Sequence, residues 1–238
     1  SEEQKKKYLP GCISGDILTA IAMSEPQAGS DLAGILTTAL EDANAFVLNG
    51  QKTFISNGIN CDLVIVAAKD PKEKNPHAAV DLYLVEAGTP GFEKGKRLNK
   101  IGWRSQDTAE LFFTDCRIPK ENRLGAKGTG FKNLMKNLQQ ERLICTIGAQ
   151  TAAEFMIEET LRYCKERQVF GKPLAGFQNT QFALAEMASE IRIGRTFVDQ
   201  LIVEHWRKNA VVVDVSMAKF WVTEMAWRVA DRCYGYCE

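Results

Sequence analysis

One carboxylate stands where proton abstraction would be feasible. Glu141 lies in the run FKNLMKNLQQERLICTIGAQ, residues Phe131 to Gln150. There Phe131, Leu134, Met135, Leu138, Cys145 and Ala149 recur at spacings of three, four and seven, the stripe of a helix packed on a core. Glu141 falls on the border of that stripe, and Gly148 and Ala152 farther along leave space instead of filling it. A carboxylate partly withdrawn from water binds its proton more tightly and suits a general base. The competing arrangement is a border carboxylate paired with Arg142 or a lysine in solvent.

Three other groups suit recognition of a flat, charged ligand. In IAMSEPQAGSD, Pro26 and Gly29 force a turn, and Ser24 and Ser30 can present hydroxyls and backbone N–H groups to a heterocycle or a phosphate. A plain surface turn is the alternative. In TFIS, strand alternation places Phe54 and Ser56 on one face, an aromatic beside a hydroxyl; a half-buried strand face would look the same. Arg167 carries the planar fork of donors that matches a pyrophosphate, although a solvated charge at a helix end fits it too.

These residues require two kinds of scaffold. From Ser1 to about Arg123 the chain reads as strands and turns. FVLNGQKTFISNG predicts a hairpin, with a turn at Asn49-Gly50 and a second strand ending at Asn57-Gly58. Leu63 to Ala68, Leu82 to Val85 and Leu111 to Phe113, the last run closed by Pro119, are further strand-length apolar runs, and their spacing predicts a sandwich or barrel. GAKGTG, Gly125 to Gly130, lacks the spacing of a nucleotide loop and reads as a hinge. Three helices are then predicted over roughly 130–166, 178–208 and 211–234, broken at Gly171-Lys172-Pro173 and Lys208-Asn209. Phe182, Leu184, Ala185, Met187, Ala188 and Ile191 mark one face of the second, and Met217, Phe220, Trp221, Met225 and Val229 one face of the third. Trp206, Trp221 and Trp227 read as core or interface anchors. The expected domains are 1–123, a β-domain, and 124–238, a helical layer.

Composition narrows the function classes. The 238 residues carry 30 lysines and arginines against 30 aspartates and glutamates, a net charge of zero. That disfavours a nucleic-acid binder, which needs a basic patch. No apolar run reaches the ~18 residues of a membrane span, and no signal peptide is visible. Seven cysteines without a CxxC pair and two histidines, His77 and His205, argue against a metal site and for reduced thiols inside a cell.

Four segments together resemble the acyl-CoA dehydrogenase family of flavoenzymes: AMSEPQAGSD (22–31), NGQKTFISNG (49–58), QERL (140–143) and RQVFGKPLAGFQ (167–178). The resemblance runs through nearly the whole chain. It implies an α+β multidomain fold, with a β-sandwich or barrel middle domain followed by an antiparallel helical bundle. It implies FAD as cofactor, contacted by Ile21, Met23, Ser24, Gly29, Ser30, Phe54, Ile55, Ser56, Arg167, Phe170 and Gln178. Arg167 and Gln178 would reach the FAD of a neighbouring subunit, which implies a homodimer or homotetramer. The Glu of QERL is similar to the base of the long-chain and isovaleryl types, so Glu141 would be catalytic. Ser30, Lys132, Gln139, Gln140 and Arg142 would contact the acyl-CoA substrate.

The activity so implied is α,β-dehydrogenation of a long-chain or branched acyl-CoA in fatty-acid β-oxidation, with electrons leaving to electron-transfer flavoprotein. The oxyanion of the thioester would be held by a flavin hydroxyl and by the base's own backbone N–H. The resemblance implies a mitochondrial matrix enzyme if eukaryotic and a cytoplasmic one if bacterial. Two other readings stand beside it: a non-catalytic or shortened homologue with an assembly role, and an acyl-CoA oxidase passing electrons to oxygen. Departures from the family pattern bear on these. The all-helical domain with which the family begins is not visible before Ser1, and the given sequence stops at CYGYCE where the family continues to a glycine-rich loop and further helices, which suggests a fragment or a shortened product. Gln27 replaces a usual glycine and disfavours a positive φ there; Ser24 and Ser56 stand where threonine is common.

Overall fold

The computed structural model describes residues 1–237. It divides into two compact units, one from Ser1 to Leu134 and one from Met135 onward.

The first unit opens with a helix, α1 (Glu2–Ser14), where strands and turns alone were expected. Its signals are local. The Ser1 hydroxyl accepts from the Gln4 N–H at 3.2 Å, a capping arrangement, and left-handed Gly15 ends the helix at φ 85°. Only Tyr8 on it is buried, packed with Leu63 and Leu84. With so little apolar surface, its helical period is faint in the sequence.

The strands that follow are β1 (Thr19–Ala22), β2 (Thr38–Asp42), β3 (Ala45–Ser56), β4 (Leu63–Lys69), β5 (Val80–Glu86), β6 (Phe92–Arg97), β7 (Thr108–Pro119) and β8 (Arg123–Leu124), with a one-turn helix α2 (Pro76–Ala79) before β5. They form an eight-stranded sheet in the order β6-β7-β3-β2-β4-β5-β8, with β1 added parallel to β4. The β2–β4 link is a single pair, Thr38 with Lys69. It joins one group, β6-β7-β3-β2, to a second, β1-β4-β5-β8, and one core lies between their side chains: Phe46, Leu48, Leu111 and Ile118 from the first with Val64, Val66, Tyr83 and Val85 from the second. Phe46 and Tyr83 meet edge to face at 5.0 Å.

Asn49-Gly50 is not a turn. β3 runs straight through it, and the true hairpin joins β2 to β3 around Ala43, at φ 44°. Asn49-Gly50 marks instead a bulge, where the β3–β7 register shifts between Leu48 and Gly50. The Asn49 side chain replaces the lost ladder bonds: it donates to Asp115 Oδ1 at 3.1 Å and accepts from the Asp115 N–H at 2.8 Å. Glycine is needed because the segment entering β2 passes so close that a Cβ would lie 2.6 Å from Thr37 Cα. The Asn-Gly pair thus has two uses, and the dipeptide alone does not tell them apart.

GAKGTG leads into α3 (Gly130–Glu166). Buried Asp81 on β5 accepts from the N–H of Gly128 at 2.8 Å and of Gly130 at 3.4 Å. A Cβ on Gly130 would sit 2.5 Å from Asp81 Cα, so the helix start presses directly on the strand.

In the second unit α3 is followed by a two-residue-strand hairpin, β9 (Gln168–Val169) with β10 (Lys172–Pro173), then α4 (Gln178–Trp206) and α5 (Val212–Cys237). Contacts run in opposite senses along α3 and α4: Gln150 meets Ile191, while Gln139 meets His205 and Asn209. The same holds for α4 and α5, where Glu190 pairs with Arg228 and Glu186 with Arg232. The helices are therefore antiparallel neighbours around Ala153, Met187, Ile191, Val198, Val222, Met225 and Val229.

Some expected stripe residues lie elsewhere. Cys145 is exposed, and Leu143, Thr146, Gln150 and Ala153 face inward instead. Phe182, Met217 and Phe220 are 60%, 50% and 68% exposed. Trp206 and Trp227 are largely exposed and Trp221 alone packs against the core. Many apolar positions on these helices cover no other part of the described chain, which blurs the stripe in sequence.

Candidate functional site

In the first unit, β1 ends at Ala22 and the chain leaves the ladder. Met23 and Ser24 are nevertheless bound to β3: Thr53 N–H donates to the Ser24 carbonyl at 2.9 Å and Lys52 Nζ to the Met23 carbonyl at 3.0 Å. The fold thus brings Ile21, Met23 and Ser24 beside Phe54, Ile55 and Ser56.

Phe54 is the singular member of this group. It has φ 57°, a strained value for an aromatic residue. The β3–β7 register shifts between Lys52 and Ile55, and the resulting bulge turns Phe54 outward, 70% exposed. Ser56 is exposed on the same side. Ile55 points the other way and is 2% exposed, so its side chain belongs to the core and only its backbone can serve a ligand. The hydroxyls of Ser24, Ser30 and Ser56 make no hydrogen bond to any described residue, and Gly29 and Ser30 are exposed. Gln27 does not take a positive φ, so its side chain costs the turn nothing; its amide donates to Glu25 Oε2 at 2.6 Å.

Two residues here escaped the sequence reading. Glu25 and Lys52 form an ion pair at 2.8 Å with side chains 2% and 0% exposed. Glu25 also accepts from the N–H groups of Leu36 at 2.6 Å and Thr37 at 3.0 Å. Burial alone would raise the Glu25 pKa, but donors from Lys52, Thr37 and Leu36 outweigh it and hold the value at about 2. Burial pulls the Lys52 ammonium down, opposed by Glu25. A lysine between apolar strand positions was the available signal, since at strand period Lys52 shares the inward face with Leu48.

In the second unit, Glu141 is exposed and forms no hydrogen bond or ion pair with a described residue. It is therefore neither paired with Arg142 nor withdrawn from water by this chain. Ile144, Cys145, Gly148, Ala152 and Phe155 continue its face, all exposed, and a Cβ on Gly148 would meet nothing within 4 Å. The carboxylate thus stands at one end of an open, mostly apolar strip. Glu141 lies well inside α3, so its N–H belongs to the helical ladder. The spare backbone donor expected at the base is not available there.

The expected substrate contacts divide. Gln139 is committed to the α4–α5 connection: its amide nitrogen reaches His205 Nδ1 at 3.2 Å and the Asn209 carbonyl at 3.1 Å, and its oxygen accepts from Val211 N–H at 3.1 Å. Arg142 donates to Ser216 Oγ at 3.2 Å on α5. Gln140 is exposed, as is Lys132 on the first turn of α3.

Arg167 and Phe170 belong to the connection after α3, and Gln178 opens α4 at its far end. The β9–β10 hairpin turns at Phe170-Gly171, φ 50° and 80°, and Leu174 N–H closes it on the Arg167 carbonyl at 2.8 Å. Phe170 stands at the tip, 93% exposed, with Phe177 edge-on beneath it at 6.4 Å. The Arg167 guanidinium is exposed and has no partner among the described residues.

Comparison with known proteins places this geometry. The model of the acyl-CoA dehydrogenase middle domain matches residues 20–116, and that of the acyl-CoA dehydrogenase C-terminal domain matches residues 128–235. The long-chain specific acyl-CoA dehydrogenase of Sus scrofa mitochondria is 46% identical over 98% of this chain, which spans 54% of that relative. A subunit of the caffeyl-CoA reductase-Etf complex of Acetobacterium woodii is 34% identical over 99% of the chain, covering 64% of its own length. The crystal structure of an acyl-CoA dehydrogenase from Geobacillus kaustophilus superposes with a TM-score of 0.97 at 55% identity, covering 99% of this chain and 62% of that one. The chain thus spans a little over half the length of the proteins it matches.

Proposed function

The chain belongs to the acyl-CoA dehydrogenase family, and from that premise we propose that the full-length protein oxidises a long-chain or branched acyl-CoA thioester to its trans-2-enoyl-CoA. The observation that carries the reading is Glu141: a carboxylate without a partner among the described residues, at the end of an exposed strip of apolar and small residues on α3. An apolar strip suits an acyl chain, and an unpaired carboxylate at its end suits removal of the proton α to the thioester. Burial of that strip by substrate or by other parts of the full-length protein would strengthen the base.

Each unit, taken by itself, carries residues that suit part of FAD. In the first unit outward Phe54 offers a face for a ring, and the hydroxyls of Ser24, Ser30 and Ser56, unbonded among the described residues, offer bonds to polar edges; in the second, Arg167, without a partner among the described residues, suits the pyrophosphate of a neighbouring subunit's FAD. Bound FAD would supply the acceptor for the β-hydride. Phe54 and Ser56 would then fix the ring, Ser30 and Lys132 would face the substrate, and Gln139 and Arg142 would support α3 without touching the ligand. The helical N–H at Glu141 is already used, so oxyanion donors must come from the cofactor or from elsewhere in the protein. Electron transfer to an electron-transfer flavoprotein is supported by the likeness to an Etf-complex subunit, and the 46% identity favours long-chain substrates.

The test is an anaerobic titration of the purified full-length protein with acyl-CoAs of increasing length. Bleaching of the flavin band, with return of colour on adding an electron-transfer flavoprotein but not on adding oxygen, is the expected result. Rapid return with oxygen would instead make the protein an oxidase, and absence of flavin would contradict the assignment.

A further inference from the structure

The buried Glu25–Lys52 pair is better arranged for positioning than for stability. Well-packed apolar residues of similar volume commonly stabilise a core as well as a buried ion pair does, because desolvation offsets the attraction. What a pair adds is direction. Glu25 has four donors from four places: Lys52 Nζ, the N–H groups of Leu36 and Thr37, and the Gln27 side chain. Lys52 uses a second proton on the Met23 carbonyl. Met23 and Ser24 lie beyond the last ladder residue of β1, Ala22. Among the described residues, the hydrogen bonds that tie them to β3 are Lys52–Met23 and Thr53–Ser24. Lys52 also opens the bulge that turns Phe54 outward. One buried pair thus sets both sides of the proposed ring seat.

We infer that Glu25 and Lys52 are positioning residues that fix the Met23–Ser24 segment against the Phe54–Ser56 bulge and so hold the seat of the flavin ring; this rests on the flavin reading above. The pair touches no ligand. It acts by keeping two segments in register that the sheet itself does not join.

The test uses the full-length protein in four forms: wild type, Lys52→Met, Glu25→Gln, and the two together. The melting temperature of each apoprotein and its FAD dissociation constant are measured, with the shape of the bound flavin spectrum. Each single variant is expected to lose melting temperature, because it leaves a buried polar group unpaired. The paired variant should regain most of that loss, while its FAD dissociation constant stays at least about tenfold above wild type, the effect of one lost directional bond of ~1.4 kcal/mol. If neither single variant folds, the paired one decides alone. A paired variant that fails to fold, or one that binds FAD within about twofold of wild type, overturns the inference. A wild-type protein that takes up no FAD overturns the flavin reading itself, a result distinguishable because it precedes any substitution.

Discussion

Gly194 on α4 and Gln150 on α3 approach so closely that a Cβ at Gly194 would lie 2.4 Å from Gln150 Oε1. Gln150 cannot easily yield, since its amide nitrogen donates to Glu154 Oε1 and to the Ile191 carbonyl, each at 2.9 Å. Glu154 in turn holds Arg195 through two bonds, at 2.7 and 2.6 Å. The absence of a side chain at Gly194 is what lets this polar network cross between the helices. Gln150 Oε1 is buried and has no donor among the described residues.

Gly194→Ala should therefore destabilise the protein despite alanine's better helix propensity. Propensity favours alanine by about 1 kcal/mol, whereas overpacking against a fixed amide and the ring of Trp221 costs about 1–3 kcal/mol. Urea unfolding of the full-length protein should show a net loss. A variant as stable as wild type would mean that the network has slack.

Acid should unmask Glu25. Its pKa in the folded chain is about 2, below the ordinary 4.5, so protons bind preferentially to the unfolded state. The stability this group contributes is complete above pH 4.5 and is lost as the pH falls toward 2. The amount is on the order of 2–3 kcal/mol. Other carboxylates titrate in the same range, so the measurement is a difference: the stability of Glu25→Gln/Lys52→Met should fall less steeply below pH 4.5 than that of wild type. Parallel curves would contradict this.

Arg167→Ala separates folding from cofactor binding. The guanidinium is exposed and unpartnered among the described residues, so the melting temperature of the apoprotein should change little, within about 0.5 kcal/mol of equivalent stability. FAD retention should fall by ~2–5 kcal/mol if the side chain binds a desolvated phosphate, and the oligomer should loosen with it if that FAD belongs to a second subunit. Full flavin occupancy after dialysis with an unchanged elution volume would rule out the role.

The helices of the second unit were legible because their breaks leave a signal: Gly171-Lys172-Pro173 interrupts a helix through glycine and proline, and at Lys208-Asn209 the backbone turns left-handed, with Lys208 at φ 64°. The strands β4, β5 and β7 were legible from apolar runs. What failed was interpretation of locally ambiguous signals. Asn49-Gly50 suits a turn or a bulge, and only the distant partner Asp115 decides. Phe54 and Ser56 were rightly placed on one face, but not the left-handed backbone that makes Phe54 project. Gln139 and Arg142 lie beside Glu141 in sequence, yet helix geometry turns them toward α5 and its connection, a separation that adjacency hides. Glu25 and Lys52 are 27 residues apart, and their pairing depends on a crossing of segments that no local pattern reports.

The central claim is that Glu141 abstracts the α-proton. Its most direct test is single-turnover reduction of the flavin by acyl-CoA in full-length Glu141→Gln, where size is kept and the base removed. The account predicts a normal flavin spectrum and a rate reduced by at least ~10²–10⁴. A variant that reduces its flavin at the wild-type rate would contradict it and place the base elsewhere.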